Sequence, residues 1–290
     1  MDLWRPSNSE VRWSVGDFLD QVVKQKELEL AQKRELMTQE QLEARVAARS
    51  GDLRDFAGAL RPAGAGAGTG TGTGTGTGHR IIAEIKRRSP SVPAFHQQGP
   101  VEELARIYEE GGAAAISVVT DTANFGMTLA DVGRIRAASR LPVVVKDFII
   151  DPYQVYEARA NGADALLLIV RILSVERLTA LQRLIERLGM AALVECHTEA
   201  DLRKAIGTGA RILGINNRNL ADLSVSIDNT RGQLRILPRD VISVSESGID
   251  HHDQIAELAD AGVDAFLIGS ALLQSADPGA TLRALRGIAR

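Results

Sequence analysis

Ionisable and amide side chains end several apolar runs of this chain. Ile81-Ile82-Ala83-Glu84-Ile85-Lys86 carries Glu84 and Lys86, the run 142–146 reaches Lys146, 191–195 closes on Glu195, 212–216 on Asn216, and 241–246 on Glu246. Side chains alternate along a strand, so Ile82, Glu84 and Lys86 share a face. A charge at the end of a buried strand is expensive unless it is paired. A single one is explained by a side chain turned to solvent, or by an ion pair closing the end of a sheet. Five polar strand ends of mixed sign point instead to an active site, where lysines and glutamates supply proton donors and acceptors.

A second pattern concerns phosphate. Ser245-Glu246-Ser247-Gly248-Ile249 follows the seventh run, and Ile268-Gly269-Ser270-Ala271 follows the eighth and opens a helix. Glycine lets a backbone approach a ligand closely, and serine adds a hydroxyl donor. Two such turns at the seventh and eighth positions suit a phosphate held on backbone N–H groups, with Gly248, Gly269 and Ser270 as candidates.

Positioning these residues requires a repeated unit. Short runs rich in Ile, Val, Leu and Ala recur at 81–86, 114–120, 142–146, 165–169, 191–195, 212–216, 241–246 and 265–268. Segments of helical periodicity lie between them at 101–110, 129–138, 153–161, 175–188, 199–207 and 252–261. Gly111, Gly162, Gly189, Gly209 and Gly262 sit where a helix turns back toward a strand. Continuous apolar strands alternating with helices predict a parallel sheet, and eight units predict a (β/α)8 TIM barrel of α/β class. The alternative, an open doubly wound sheet, lacks a Gly-x-Gly-x-x-Gly turn after the first strand. The catalytic domain is assigned to 79–290. Ahead of it, 1–61 reads as a helical extension packed on the barrel: apolar Phe18, Leu19, Val22 and Val23 open it, and 24–49 is dense in Lys, Glu, Gln and Arg. Residues 62–78 alternate Gly with Ala and then Thr, which reads as a flexible linker.

Composition excludes several classes. With 34 Lys+Arg against 37 Asp+Glu, the net charge of −3 argues against a nucleic-acid or anionic-membrane partner. One cysteine, Cys196, precludes an internal disulfide framework or a Cys-rich zinc site, and strand parity turns it away from Glu195 as a packing residue. The five histidines show no metal-ligand spacing, and His251-His252 reads as surface. No apolar run has the roughly 18 residues of a membrane helix, and the N-terminal residues lack a signal-peptide pattern, so a cytoplasmic protein is expected.

These residues, taken together, resemble the indole-3-glycerol-phosphate synthase family of tryptophan biosynthesis over about 17–286. The matching segments include Ala83-Glu84-Ile85-Lys86-Arg87-Arg88-Ser89-Pro90-Ser91, Lys146-Asp147-Phe148, Val194-Glu195, Gly214-Ile215-Asn216-Asn217-Arg218-Asn219-Leu220, Ser245-Glu246-Ser247-Gly248-Ile249 and Phe266-Leu267-Ile268-Gly269-Ser270. The resemblance implies ring closure of an anthranilate-substituted deoxyribulose 5-phosphate with loss of CO2 and then water. It implies Lys146 as general acid, Glu195 as general base, Lys86 as a substrate-neutralising cation held by Glu84, and Asn216, Glu246 and Ser247 as further polar site residues. Ser89, Phe125 and Arg218 are implied in substrate binding, Arg218 toward the anthranilate carboxylate. Burial is expected to raise the Glu195 pKa, offset by nearby lysines. The expected partner is a phosphorylated small molecule, with no metal, no organic cofactor, and a monomer or at most a weak dimer. Val92-Pro93 after Ser91 and Met127-Thr128 after Phe125-Gly126 depart from the family pattern. A catalytically idle relative would be expected to have lost Lys146 or Glu195, and both are present.

Overall fold

The computed structural model describes residues 15–49, 51–61, 78–90, 92–97, 99–219 and 224–288. The N-terminal 1–14, all but the last residue of the tract at 62–78, Ser91 and Leu220 lie outside the described residues. Eight strands form the centre: β1 Arg80–Ile85, β2 Ala115–Val119, β3 Val143–Lys146, β4 Ala165–Ile169, β5 Ala191–Cys196, β6 Ile212–Asn216, β7 Ile242–Glu246 and β8 Ala265–Ile268. Each pairs in parallel with the next, and β8 pairs with β1, so the sheet closes into a barrel. The open-sheet alternative is thereby excluded.

Helices α1 Val15–Leu36, α2 Gln39–Ala47 and α3 Phe56–Leu60 precede the barrel. Within it follow α4 Val101–Glu110, α5 Thr122–Phe125, α6 Leu129–Ala138, α7 Pro152–Ala160, α8 Val175–Arg187, α9 Glu199–Gly207, α10 Asp228–Gln233, α11 His252–Asp260, α12 Ser270–Gln274 and α13 Pro278–Leu285. Their starts follow local chemistry. Thr38 caps α2 in a box with Gln41, and Asp151 caps α7 with Pro152 in its first turn.

The two-residue period of the strands separates two apolar layers. One set, including Ile82, Val144, Leu167, Leu193, Val244 and Leu267, fills the barrel interior. The other, including Ile81, Val118, Val145, Leu168, Val194 and Ile268, packs beneath the helices. Cys196 is buried in this outer layer, where parity placed it. Phe56 and Leu60 of α3 join the interior set. The backbone N–H of Arg54 donates to Asp164, just before β4, at 2.8 Å, which puts α3 across the N-terminal ends of the strands. That end is plugged, and the opposite rim is left for chemistry.

The structure adds two local details. Gly111 ends α4 with φ −70°, and its neighbour Gly112, at φ 81°, makes the left-handed turn. The eight-unit pattern requires a helix between β6 and β7, where no periodic stretch is named above, and α10 lies there. It buries Thr230 and Gln233 rather than an apolar stripe, so periodicity had nothing to register.

Candidate active site

Strand parity and register bring the predicted charges to one mouth of the barrel. Ile169 pairs with Glu195, Glu195 with Gly214, and Asn216 with Glu246. The Lys146 ammonium reaches across the barrel and lies 3.1 Å from Glu195 Oε2 and 3.1 Å from Glu246 Oε2. Lys86 pairs with Glu84 Oε1 and sits 5.4 Å from the centre of the Phe95 ring. Two glycines make the room. A Cβ at Gly214 would overlap Glu246 Oε1, and one at Gly269 would overlap Glu84 Oε1.

The charges set one another's acidity. Burial pulls the Lys146 pKa down, but Glu195, Glu246 and Glu84 together push it above the usual lysine range. Burial likewise disfavours an ionised Glu84, but Lys86 and Lys146 hold it below the usual carboxylate range. Glu195 differs from the sequence expectation. Burial pushes its carboxyl up, yet the Lys146 ammonium outweighs burial, and the net displacement is downward. The upward displacement falls on Glu246, where burial and the neighbouring Glu195 charge overcome the pull of Lys146. Two carboxylates sharing one ammonium thus divide into an ionised member and one that favours its proton.

The remaining predicted residues lie in the loops of this rim. Phe125 ends α5, and its carbonyl accepts from the backbone N–H of Arg87 at 3.1 Å and Arg88 at 3.3 Å, fixing the start of the first loop. Ser89 and Val92 bond each other's backbone in both directions, so the Val92-Pro93 departure begins in a tight turn. Met127 is buried in the outer core, which makes its departure a matter of packing. Asn216 Oδ1 accepts the Arg218 backbone N–H at 3.0 Å, tying the base of that loop to the strand end. Ser247, at φ 68°, is the one non-glycine with positive φ among the described residues, and Gly248 follows at φ 75°. Gly269 and Ser270 begin α12 beside Glu84.

Two residues escaped the sequence reading. Lys26 of α1 is buried, with Nζ 2.9 Å from Asp147, 3.1 Å from Asp121 and 3.2 Å from Glu29. Asp147 follows Lys146, and Asp121 caps α5, which ends in Phe125. The signal was present, since Lys26 interrupts the buried stripe Leu19, Val22, Leu30 at helical spacing. It was lost in a segment dense with charge. Lys26→Met leaves the buried Asp121 and the partly buried Asp147 without their cation and is expected to lower the unfolding free energy by about 3 kcal/mol. Urea denaturation checks this, and a change under about 1 kcal/mol would refute it. His197 is the other. The alternation that turns Cys196 outward returns His197 to the side of Glu195, and its Nε2 lies 3.5 Å from Glu195 Oε1.

Comparison with known proteins gives a consistent picture. The family model described as "Indole-3-glycerol phosphate synthase" matches residues 19–285. A protein of that name from Micrococcus luteus is 46% identical over 207 residues, covering 71% of this chain and 77% of the relative. One from Polaromonas sp. is 41% identical over 278 residues, covering 94% of this chain and 100% of the relative. Among solved structures, 3-hexulose-6-phosphate synthase from Salmonella typhimurium superposes with a TM-score of 0.58 at 17% identity, over 72% of this chain and 97% of that one, a likeness of fold.

Proposed function

The chain belongs to the indole-3-glycerol phosphate synthase family, the ring-closing, decarboxylating lyases of tryptophan biosynthesis, and we propose that its barrel mouth performs that reaction with Lys146 as acid and Glu195 as base. Lys146 carries the proposal: one partly buried ammonium is clamped between two buried glutamate side chains at the open end of the barrel.

Substrate phosphate sits between the loops after β7 and β8, on the N–H groups around Ser247, Gly248, Gly269 and Ser270. Arg218 faces the anthranilate carboxylate, Phe125 and Ser89 line the ring side, and Asn216 steadies the loop that bears Arg218. The ring carbon that carries the carboxylate attacks the ketone carbon, and a carbon–carbon bond forms. Lys146 gives its proton to the developing alkoxide. The bond to the carboxylate then breaks, its electron pair restores the aromatic ring, and CO2 leaves. Glu195 next takes a proton from the methylene carbon beside nitrogen. The hydroxyl departs as water with a proton from Lys86, which Glu84 holds in place, and indole results.

The ion pairs couple the steps. A charged Lys146 keeps Glu195 ionised and weakly basic. Once Lys146 has given up its proton, that restraint is gone and burial raises the basicity of Glu195 when dehydration needs it. Glu246 keeps Lys146 in place throughout.

Every side chain in this scheme comes from one chain, so a monomer suffices. Among the described residues no helix is long and apolar enough to cross a membrane, and a cytoplasmic setting fits a phosphorylated metabolite. We read 79–290 as the catalytic body and 1–61 as its brace. Incubating the purified chain with 1-(2-carboxyphenylamino)-1-deoxyribulose 5-phosphate is expected to produce indole fluorescence, and its absence would overturn the assignment.

A further inference from the structure

His197 is a buried titratable group that the scheme above does not use. Its side chain is 4% exposed, and neither ring nitrogen makes a hydrogen bond among the described residues. Burying a polar group without a partner disfavours the fold by about 1–3 kcal/mol, so a histidine kept only for packing would be expected to satisfy at least one nitrogen. The backbone around it is firmly held. Its N–H donates to Asp201 Oδ2 at 3.1 Å, and its carbonyl accepts from Asn229 Nδ2 at 3.1 Å. The same Asp201 carboxylate closes the capping box of α9 with Thr198. A strand end and a helix start thus hold the main chain of His197, and the ring lies with Nε2 3.5 Å from Glu195 Oε1. The other oxygen, Oε2, belongs to Lys146.

We propose that His197 is a positioning residue for Glu195: its Nε2–H holds Oε1 on the far side from Lys146, so the carboxylate stays aimed when Lys146 surrenders its proton. This rests on Glu195 being the base. The charged groups facing the imidazole are Glu195 on its own strand, Arg171 after β4, Asp201 on α9 and Lys146 on β3. Burial, with Arg171 and Lys146, outweighs the two carboxylates and keeps the ring neutral. A neutral imidazole donates through one nitrogen only, and the short remaining gap to Oε1 selects Nε2. Contacts of this kind tighten when substrate closes the site.

The test compares His197→Leu with His197→Gln, whose amide keeps a donor. The Leu variant is expected to lose about tenfold in kcat with KM within about twofold. The acid limb of its kcat profile moves to higher pH, because Glu195 without the donor binds its proton more readily. The Gln variant restores most of both. A Leu variant that only melts earlier, with kcat and acid limb unchanged, would show a packing role and overturn the proposal. A second measurement needs no change at position 197. The His197 ring 15N resonances of the parent are expected to report an Nε2–H tautomer and to shift in Glu195→Gln, and identical resonances in the two proteins would equally overturn it. The two ideas fail separately. A Glu195→Gln enzyme with parental turnover removes the base itself, whereas an inactive one beside an unaffected His197→Leu removes only the role of the imidazole.

Discussion

Lys146→Ala is expected to lower kcat by about 10^4-fold. The lost ammonium supplies both the proton and the positive charge for the developing alkoxide, and each contribution is on the order of 10^2-fold or more. Ring closure precedes every later step, so CO2 release and indole formation should fall together. The fold should persist. Glu246 already favours its protonated form beside Glu195, so the pair sheds a charge rather than leaving two unpaired carboxylates buried. Circular dichroism and indole fluorescence on the same sample check both halves. Indole formation within about tenfold of the parent would remove Lys146 from the acid role.

Glu195→Gln has the second largest expected effect, about 10^3-fold on indole formation. The amide matches the carboxylate in size and keeps a contact to Lys146 but cannot take a proton. Lys146 retains Glu246 at 3.1 Å and the more distant charge of Glu84, so it stays protonated and able to close the ring. The variant should therefore bind substrate and stall late. A loss of KM alone, with kcat preserved, would mean that Glu195 merely binds.

The sequence carried the barrel because its inner and outer layers are both apolar. Runs such as Ala165–Ile169 are greasy at every position, which is the mark of a strand covered on both faces. It carried Glu84, Lys146, Glu195 and Glu246 because a charge at the end of such a run has few explanations. It did not carry α10, whose buried contacts are polar, nor the partners of Lys26, which lie 95 and 121 residues further along the chain. The acidity of Glu195 was misjudged for a related reason. Burial can be read from an apolar strand, but the clamp of Lys146 between two carboxylates depends on distances across the barrel. His197 was legible by parity, two residues from Glu195, but a lone histidine past a strand end carries no metal-ligand spacing to single it out.

The division of labour between Lys146 and Glu195 is tested most directly by a single turnover of Glu195→Gln with substrate labelled in its carboxylate, counting released CO2 against indole. The expected result is CO2 without indole, the label leaving while a hydroxylated, ring-closed intermediate accumulates. Release of CO2 and formation of indole suppressed in equal measure would contradict it.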